Sequence, residues 1–417
     1  MLEKNIRLAA VYFVALAVSL PIALTNISKL LALIAALVLL VVSRPDKHAL
    51  AVHRLWPMRL IGAAFLLFWI SAIWSTGKTA EIVKSVSQHG NLLIIPILFY
   101  LVRSRKEASI ALGIYFAAQL ILALSTCALY LQIPLPWKLT DAGQPYAIFS
   151  SYLDQPIMTA IFAAVAWHLR ELLPQRGRNF FAAFIVFLAL EVVFFIFIGR
   201  TGHLVALSLL TLAVFWEIPR RFRPAIVLFP VIMFVLALSF SPKVAERFTA
   251  AKSEIEAAVE RGNVTTDMTS TGLRMNFWMN SIRAIEDSPW IGHGAGSWNS
   301  QYNAIQKRNA GDAFVETSAN SHQEYLFWGV ELGLPGIALL LAILFSFYRL
   351  SQAMPESSRR ATQSVLIGIA TACMFNCALF DAYLGDYLCV ALALVICYGL
   401  KPTQPHAERS PGLSLKA

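Results

Sequence analysis

The sequence predicts an all-α polytopic membrane protein of about twelve transmembrane helices with one large helical outer loop. Three observations carry this: 58% of the 417 residues are hydrophobic, only 14% are charged, and the mean hydropathy is +0.63. A soluble domain carries about 25% charged residues. A soluble chain this poor in charge would expose large apolar patches. An ordinary soluble enzyme, a disordered chain and a disulfide-rich secreted scaffold are therefore excluded. The five cysteines all lie in apolar runs, Cys373 and Cys377 one helical turn apart. They read as small buried free thiols.

Apolar stretches long enough to cross about 30 Å of hydrocarbon recur at 6–24, 27–43, 59–75, 91–102, 107–131, 156–173, 179–198, 203–217, 224–240, 325–348, 361–380 and 385–400. Further spans follow the first at once and no small-residue cleavage site precedes them, so it reads as a span rather than a signal peptide. With the N-terminus placed inside, 21 of the 34 Lys and Arg fall on inner loops. Five lie on short outer loops (Lys29, Lys78, Lys84, Lys138 and Arg200) and eight lie in 241–322. The positive-inside rule then predicts an even number of spans, both termini cytoplasmic, and 241–322 facing outward. Sidedness thus accounts for the net charge of +10 without a nucleic-acid partner. The expected organisation is helices one to nine over 1–240, an outer loop domain over 241–324, helices ten to twelve over 325–400 and a cytoplasmic tail over 401–417.

The outer segment holds most of the polar chemistry. A helix rich in Ala, Glu and Lys is expected from Pro242 through Glu260, its charged face solvated. Ser270-Thr271 opens a second helix through Asp287, with Arg274 near its start and an apolar stripe at Phe277, Trp278, Ile282 and Ile285. The stripe suits a helix lying on the membrane or packed on the bundle. Ser288-Pro289 ends it, and Gly292-His293-Gly294-Ala295-Gly296 makes a tight turn. Ser321 and Glu324 have capping-box spacing, which would put His322 in the first helical turn. The partial positive charge there keeps an imidazole neutral, as a general base requires. A helix-start histidine that only bonds a neighbour fits equally.

Arg200 and Arg274 carry the donor forks that grip a phosphate, or they snorkel to headgroups. Lys84, on the outer Glu81-Ile82-Val83-Lys84 segment, is a further cation for the same phosphate. Glu191, inside the seventh span, needs a partner or a cavity. Asp381 and Asp386 in the last outer loop read as solvated acids. The chain carries no P-loop, dinucleotide glycine pattern, His-x-x-x-His pair or cysteine cluster. The first outer loop, Thr25 to Lys29, has no carboxylate to share a divalent metal. No metal or cofactor is expected, and no internal repeat is visible.

The run Asn320-Ser321-His322-Gln323-Glu324-Tyr325-Leu326, with Gly329-Val330-Glu331-Leu332-Gly333-Leu334-Pro335-Gly336 after it, resembles the signature of the O-antigen ligase and polymerase superfamily. There a histidine starts the helix after the large loop and an E-x-G-x-x-G segment follows. Ser288 to Trp298 resembles the family's glycine turn, Thr271-Gly272-Leu273-Arg274 its G-x-R element, and Gly199-Arg200-Thr201 its S-R pair before a span. Two positions depart: Gln323 stands where Asn is common, and Gly199 where Ser is usual. The resemblance implies a C-type glycosyltransferase helical bundle, inverting and metal-independent, in the bacterial inner membrane with its active site on the periplasmic side. It implies transfer of O-antigen from undecaprenyl diphosphate to the lipid A–core oligosaccharide. His322 would take the acceptor proton, and Arg200 and Arg274 would neutralise the diphosphate. Neighbouring readings are an O-antigen polymerase and a protein oligosaccharide ligase. A lipid-linked sugar transporter belongs to a different class and calls for charges along the bundle interior, whereas the sequence places them at the outer rim with Glu191 the exception.

Overall fold

The computed structural model describes residues 2–42, 52–137, 146–240, 245–246, 249–250, 252–253, 270–310 and 320–402. These are helical, with no strand among them. The first helices are α1 (Leu2–Ala17), α2 (Ile22–Val42), α3 (Trp56–Ser71), α4 (Thr79–His89) and α5 (Ile94–Leu101), the last two joined by a 3-10 turn at Gly90–Leu93. Next come α6 (Arg105–Tyr130), α7 (Asp154–His168), α8 (Arg178–Glu191) with a π turn at Val192–Ile196, α9 (Arg200–Glu217) and α10 (Leu228–Phe240). The segment between α10 and the next long helix contributes α11 (Ser270–Asp287) and α12 (Trp298–Ala310). The chain then returns through α13 (Glu324–Ser351), α14 (Glu356–Phe375) and α15 (Ala382–Leu400).

Every expected span falls on a helix, and seven of the described stretches are long and apolar enough to cross a membrane, α2, α13 and α15 among them. The short fourth span is longer than expected, because α4 runs on into α5 as one stretch from Thr79 to Leu101. The expected helix from Pro242 through Glu260 lies mostly outside the described residues; those of it that are described, 245–246, 249–250 and 252–253, are helical. The predicted bounds of α11 hold, whereas α12 was not foreseen, although Trp298, Tyr302 and Ile305 share one buried face at helical spacing.

Burial orders the bundle. In the apolar window of α15, 89% of residues are buried, against 33% in α2. Helix α15 is therefore the central post, packed by α5, α6 and α14, and α2 turns most of its surface to lipid. Buried hydroxyls on the post find partners, as buried polar groups must: Tyr387 Oη lies 2.5 Å from Tyr115 Oη and 2.7 Å from the Met158 carbonyl oxygen.

Two charge assignments are corrected here. Asp386 is no solvated loop acid: it lies fully buried on α15 and pairs with Lys29 at 2.7 Å. Lys29 belongs to α2, which begins at Ile22 rather than after an outer loop, and it also donates to Asn91 at 3.0 Å. Nor is Glu191 the one acid inside the bundle: it is half-buried, whereas Glu324 and Glu331 on α13 are fully buried. A bare carboxylate in hydrocarbon is costly, so each is tied to donors from another helix or turn. Lys29→Met leaves the buried Asp386 carboxylate without its cation and is expected to destabilise the protein by about 3–5 kcal/mol. Adding Asp386→Leu should restore most of the loss of melting temperature in detergent; a double variant no better than the single one would contradict the pairing.

Candidate functional site

The site is assembled where the segment between α10 and α13 meets the ends of α7, α9, α13 and α14. This segment is fastened first. Gly292, Gly294 and Gly296 have φ of +63°, +86° and +74°, values that β-carbon-bearing residues avoid. A Cβ on Gly294 would stand 2.4 Å from Ser75 Cα, so the turn lies directly on the end of α3. Ser75 Oγ donates to the Ala295 carbonyl at 2.6 Å, and Ala295 N–H donates to Ser71 Oγ at 3.1 Å. From beneath, Glu331 accepts the Gly296 N–H at 2.8 Å and the Ser85 hydroxyl at 2.7 Å. Gly333 breaks α13 with φ +73°, letting Leu334 N–H reach the Pro289 carbonyl at 2.7 Å. The E-x-G part of the segment thus serves as a seat for the glycine turn.

Helix α11 then packs on α13 and α12. Its stripe divides: Phe277 and Ile285 are buried, Trp278 is half-buried against Phe375, and Ile282 stays exposed. The buried face also carries Asn276, Asn280 and Ser281, which bond within α11 and to Trp298 and Gln306 of α12. This polar seam orients α11 and brings Arg274 inward, half-buried.

His322 does not stand in the first helical turn. Gln323 is the N-cap of α13, its side-chain oxygen accepting the Leu326 N–H at 2.6 Å. The expected capping box fails because both partners are engaged elsewhere. Ser321 Oγ donates to the Gln323 carbonyl at 2.7 Å, and Glu324 accepts N–H groups from Trp328, Leu379 and Phe380. His322 instead has φ +50°, a left-handed conformation held by its own N–H donating to Asn320 Oδ1 at 3.0 Å. Such a residue stores strain of about 1–2 kcal/mol, a recurrent mark of functional positions.

The imidazole stacks on Phe277, centroids 5.8 Å apart, with the Asn376 side chain against it and Arg274 near enough to act on its charge. Its Nδ1 is buried and has no hydrogen-bond partner among the described residues. Burial, then the Arg274 charge, lowers its pKa below the ordinary histidine value, and Asn376 opposes this. Burial likewise lowers Arg274, helped by the nearby Arg200.

Arg200 opens α9. Gly199 before it lies so close to α7 that a Cβ would stand 2.9 Å from the Tyr152 carbonyl oxygen, which accounts for glycine at this position. Arg200, Arg274 and His322 are therefore brought together, although they come from the start of α9, from α11 and from the turn before α13. Lys84 lies on α4 rather than on a loop, exposed, with its ammonium 5.9 Å above the Phe380 ring.

Three further polar residues stand at the ends of α14, α15 and α7, and the first of them, Asn376, touches His322. Asn376 ends α14, its Oδ1 accepting the Cys377 N–H at 2.9 Å. Asp381 caps α15 by accepting from Tyr383 and Leu384 N–H groups. Asp154, buried at the start of α7, lies near enough to Asp381 for the carboxylates to repel and accepts from Ser151 Oγ at 2.5 Å. Sequence reasoning missed Asp154, although Ser151 three residues ahead of it, just before an apolar run, is a helix-start signal. Nothing local marked Asn376. Among the described residues no three of His, Cys, Asp and Glu gather closely enough to hold a metal ion. All five cysteines are free.

The contact of Asn376 with His322 gives a signed expectation. Asn376→Asp puts a carboxylate beside the imidazole and should raise its pKa by about one unit or more. Measured by NMR titration of the His322 ring, an unmoved value would contradict this geometry.

Residues 182–341 match the family described as O-antigen ligase. The matched segment contains Arg200, Arg274, the glycine turn and His322, and leaves out Lys84. A protein of Haemophilus influenzae, described only as uncharacterized, is 37% identical over 112 residues, 26% of this chain and 27% of that protein. The chain thus matches about a quarter of the length of this curated relative. The family match supports a glycosyltransferase-type activity of the O-antigen ligase or polymerase kind.

Proposed function

We propose, from the O-antigen ligase match over residues 182–341, that this membrane protein is an inverting, metal-independent glycosyltransferase of the bacterial inner membrane, with cytoplasmic termini and a periplasmic active site. Its donor is O-antigen on undecaprenyl diphosphate, and its acceptor is a sugar hydroxyl of the lipid A–core oligosaccharide. The observation that carries the reading is the meeting of Arg200, Arg274 and a neutral, strained His322 at one end of the bundle, all within the matched segment.

In this reading the acceptor oxygen attacks the anomeric carbon while the His322 imidazole takes its proton. The bond from the anomeric carbon to the diphosphate oxygen breaks on the opposite face, and inversion follows. Arg200 and Arg274 receive the charge that develops on the leaving diphosphate. Two guanidiniums held close in a partly desolvated site repel each other, and a diphosphate between them relieves that repulsion. Lys84, above Phe380, is an additional cation for the lipid-linked donor.

The test is transfer by purified protein, with undecaprenyl-linked glycan and lipid A–core as substrates. A ladder on lipid A–core that persists in EDTA is expected. Loss of the ladder in EDTA would end the metal-independent mechanism. Longer polymer on the donor with unmodified lipid A–core would make the protein a polymerase instead.

A further inference from the structure

At the end of the bundle opposite the His322 cluster, α7, α8 and α9 enclose a half-open cavity of about 550 Å³. Its walls are mostly apolar and many of them are small: Ala160, Ala163 and Ala164 from α7, Ala189 from α8, Ala206 and Ala213 from α9. Small residues ordinarily let membrane helices close on one another. Here α7 packs against both α8 and α9, and the three still leave a slot. From Ala160 to Arg170 the slot spans about 15 Å by helical rise, the depth of one leaflet of hydrocarbon. An apolar cavity of this kind holds no ordered water; beside a bilayer its natural filling is one acyl chain.

The mouth is polar and carries both signs. Arg170 stacks on Trp167, its guanidinium 5.2 Å from the ring and donating to the Trp167 carbonyl at 2.9 Å. Arg360 lies 5.4 Å over Trp216 and pairs with Glu217 at 2.6 Å and Glu356 at 2.7 Å. Glu217 is largely exposed. A purely anionic headgroup would meet these carboxylates as well as the arginines. A headgroup bearing a phosphate and a primary ammonium matches the pattern, phosphate on Arg170 and ammonium on Glu217.

We infer that this slot is a binding site for an aminophospholipid of the phosphatidylethanolamine type, its acyl chain between α7, α8 and α9 and its headgroup across Arg170 and Glu217. The site is separate from the proposed transfer chemistry and does not depend on it.

The test uses the full chain in phosphatidylcholine nanodiscs and a phosphatidylethanolamine carrying a diazirine in its acyl chain. Photolabelled peptides are expected from α7, α8 and α9. Unlabelled phosphatidylethanolamine should compete about fivefold better than phosphatidylglycerol, the worth of one partly exposed ion pair. Glu217→Gln should erase that preference, and Arg170→Ala should weaken competition by both lipids. Ala213→Trp, which fills the slot, should remove the label; if that variant fails to fold, the Glu217→Gln competition still decides. Label spread evenly over the bundle, equal competition in the parent protein, or a preference that survives Glu217→Gln would each overturn the proposal.

Discussion

Replacing His322 by alanine is expected to lower glycan transfer by about 10²–10⁴-fold, the usual worth of a positioned general base. The imidazole lies at the head of α13, stacked on Phe277 and facing Asn376, in a backbone conformation that the surrounding bonds impose. Burial and the Arg274 charge both favour its neutral form. A base must be neutral to act, so the rate should fall only as the pH drops below the ordinary histidine value of about 6.5. Transfer across a pH series, with the melting temperature as a folding control, checks both points. Unchanged transfer in the alanine variant would remove His322 from the mechanism. An acid limb well above pH 6.5 would contradict the environment described for the ring.

Arg274→Ala is expected to cost about 10²–10³-fold, as does the loss of one donor to a developing anion elsewhere. Arg274→Lys should recover only part of this, because an ammonium lacks the planar fork that spans two phosphate oxygens. The same substitution carries a second readout. Removing the Arg274 charge takes away one of the two causes that depress His322, so the acid limb of the residual activity should move upward. Arg200→Ala should fall in the same range, and Lys84→Ala should cost less. Lys307, exposed on α12, serves as the comparison: an Arg274→Ala loss no larger than that of Lys307→Ala would remove the special standing of Arg274.

The helices were legible because their signals are local. Ser270 and Ser288-Pro289 mark the ends of α11, and each apolar run carries its own length. The glycine turn announced itself through its spacing, and the three residues proposed for the chemistry were each marked by a nearby motif. What the sequence hid were partnerships across the chain. Asp386 looked like a loop acid because its partner, Lys29, lies 357 residues away. Glu324 had the spacing of a local cap, but its carboxylate is engaged by N–H groups at Leu379 and Phe380. In a bundle with few charges, a buried acid takes the donor that tertiary packing brings near, and local spacing does not report it.

The seat that Glu331 provides for the glycine turn has a mechanical consequence. The helix that presents His322 at its head also holds, two turns further on, the carboxylate that clamps Gly296 and Ser85. Ring and turn therefore share one rigid mount, and the turn cannot lift as a lid without carrying the imidazole out of register. Under the proposed function, lipid-borne substrates would reach this stationary centre by lateral diffusion within the plane of the bilayer, sliding between helices, while the glycan stays in water.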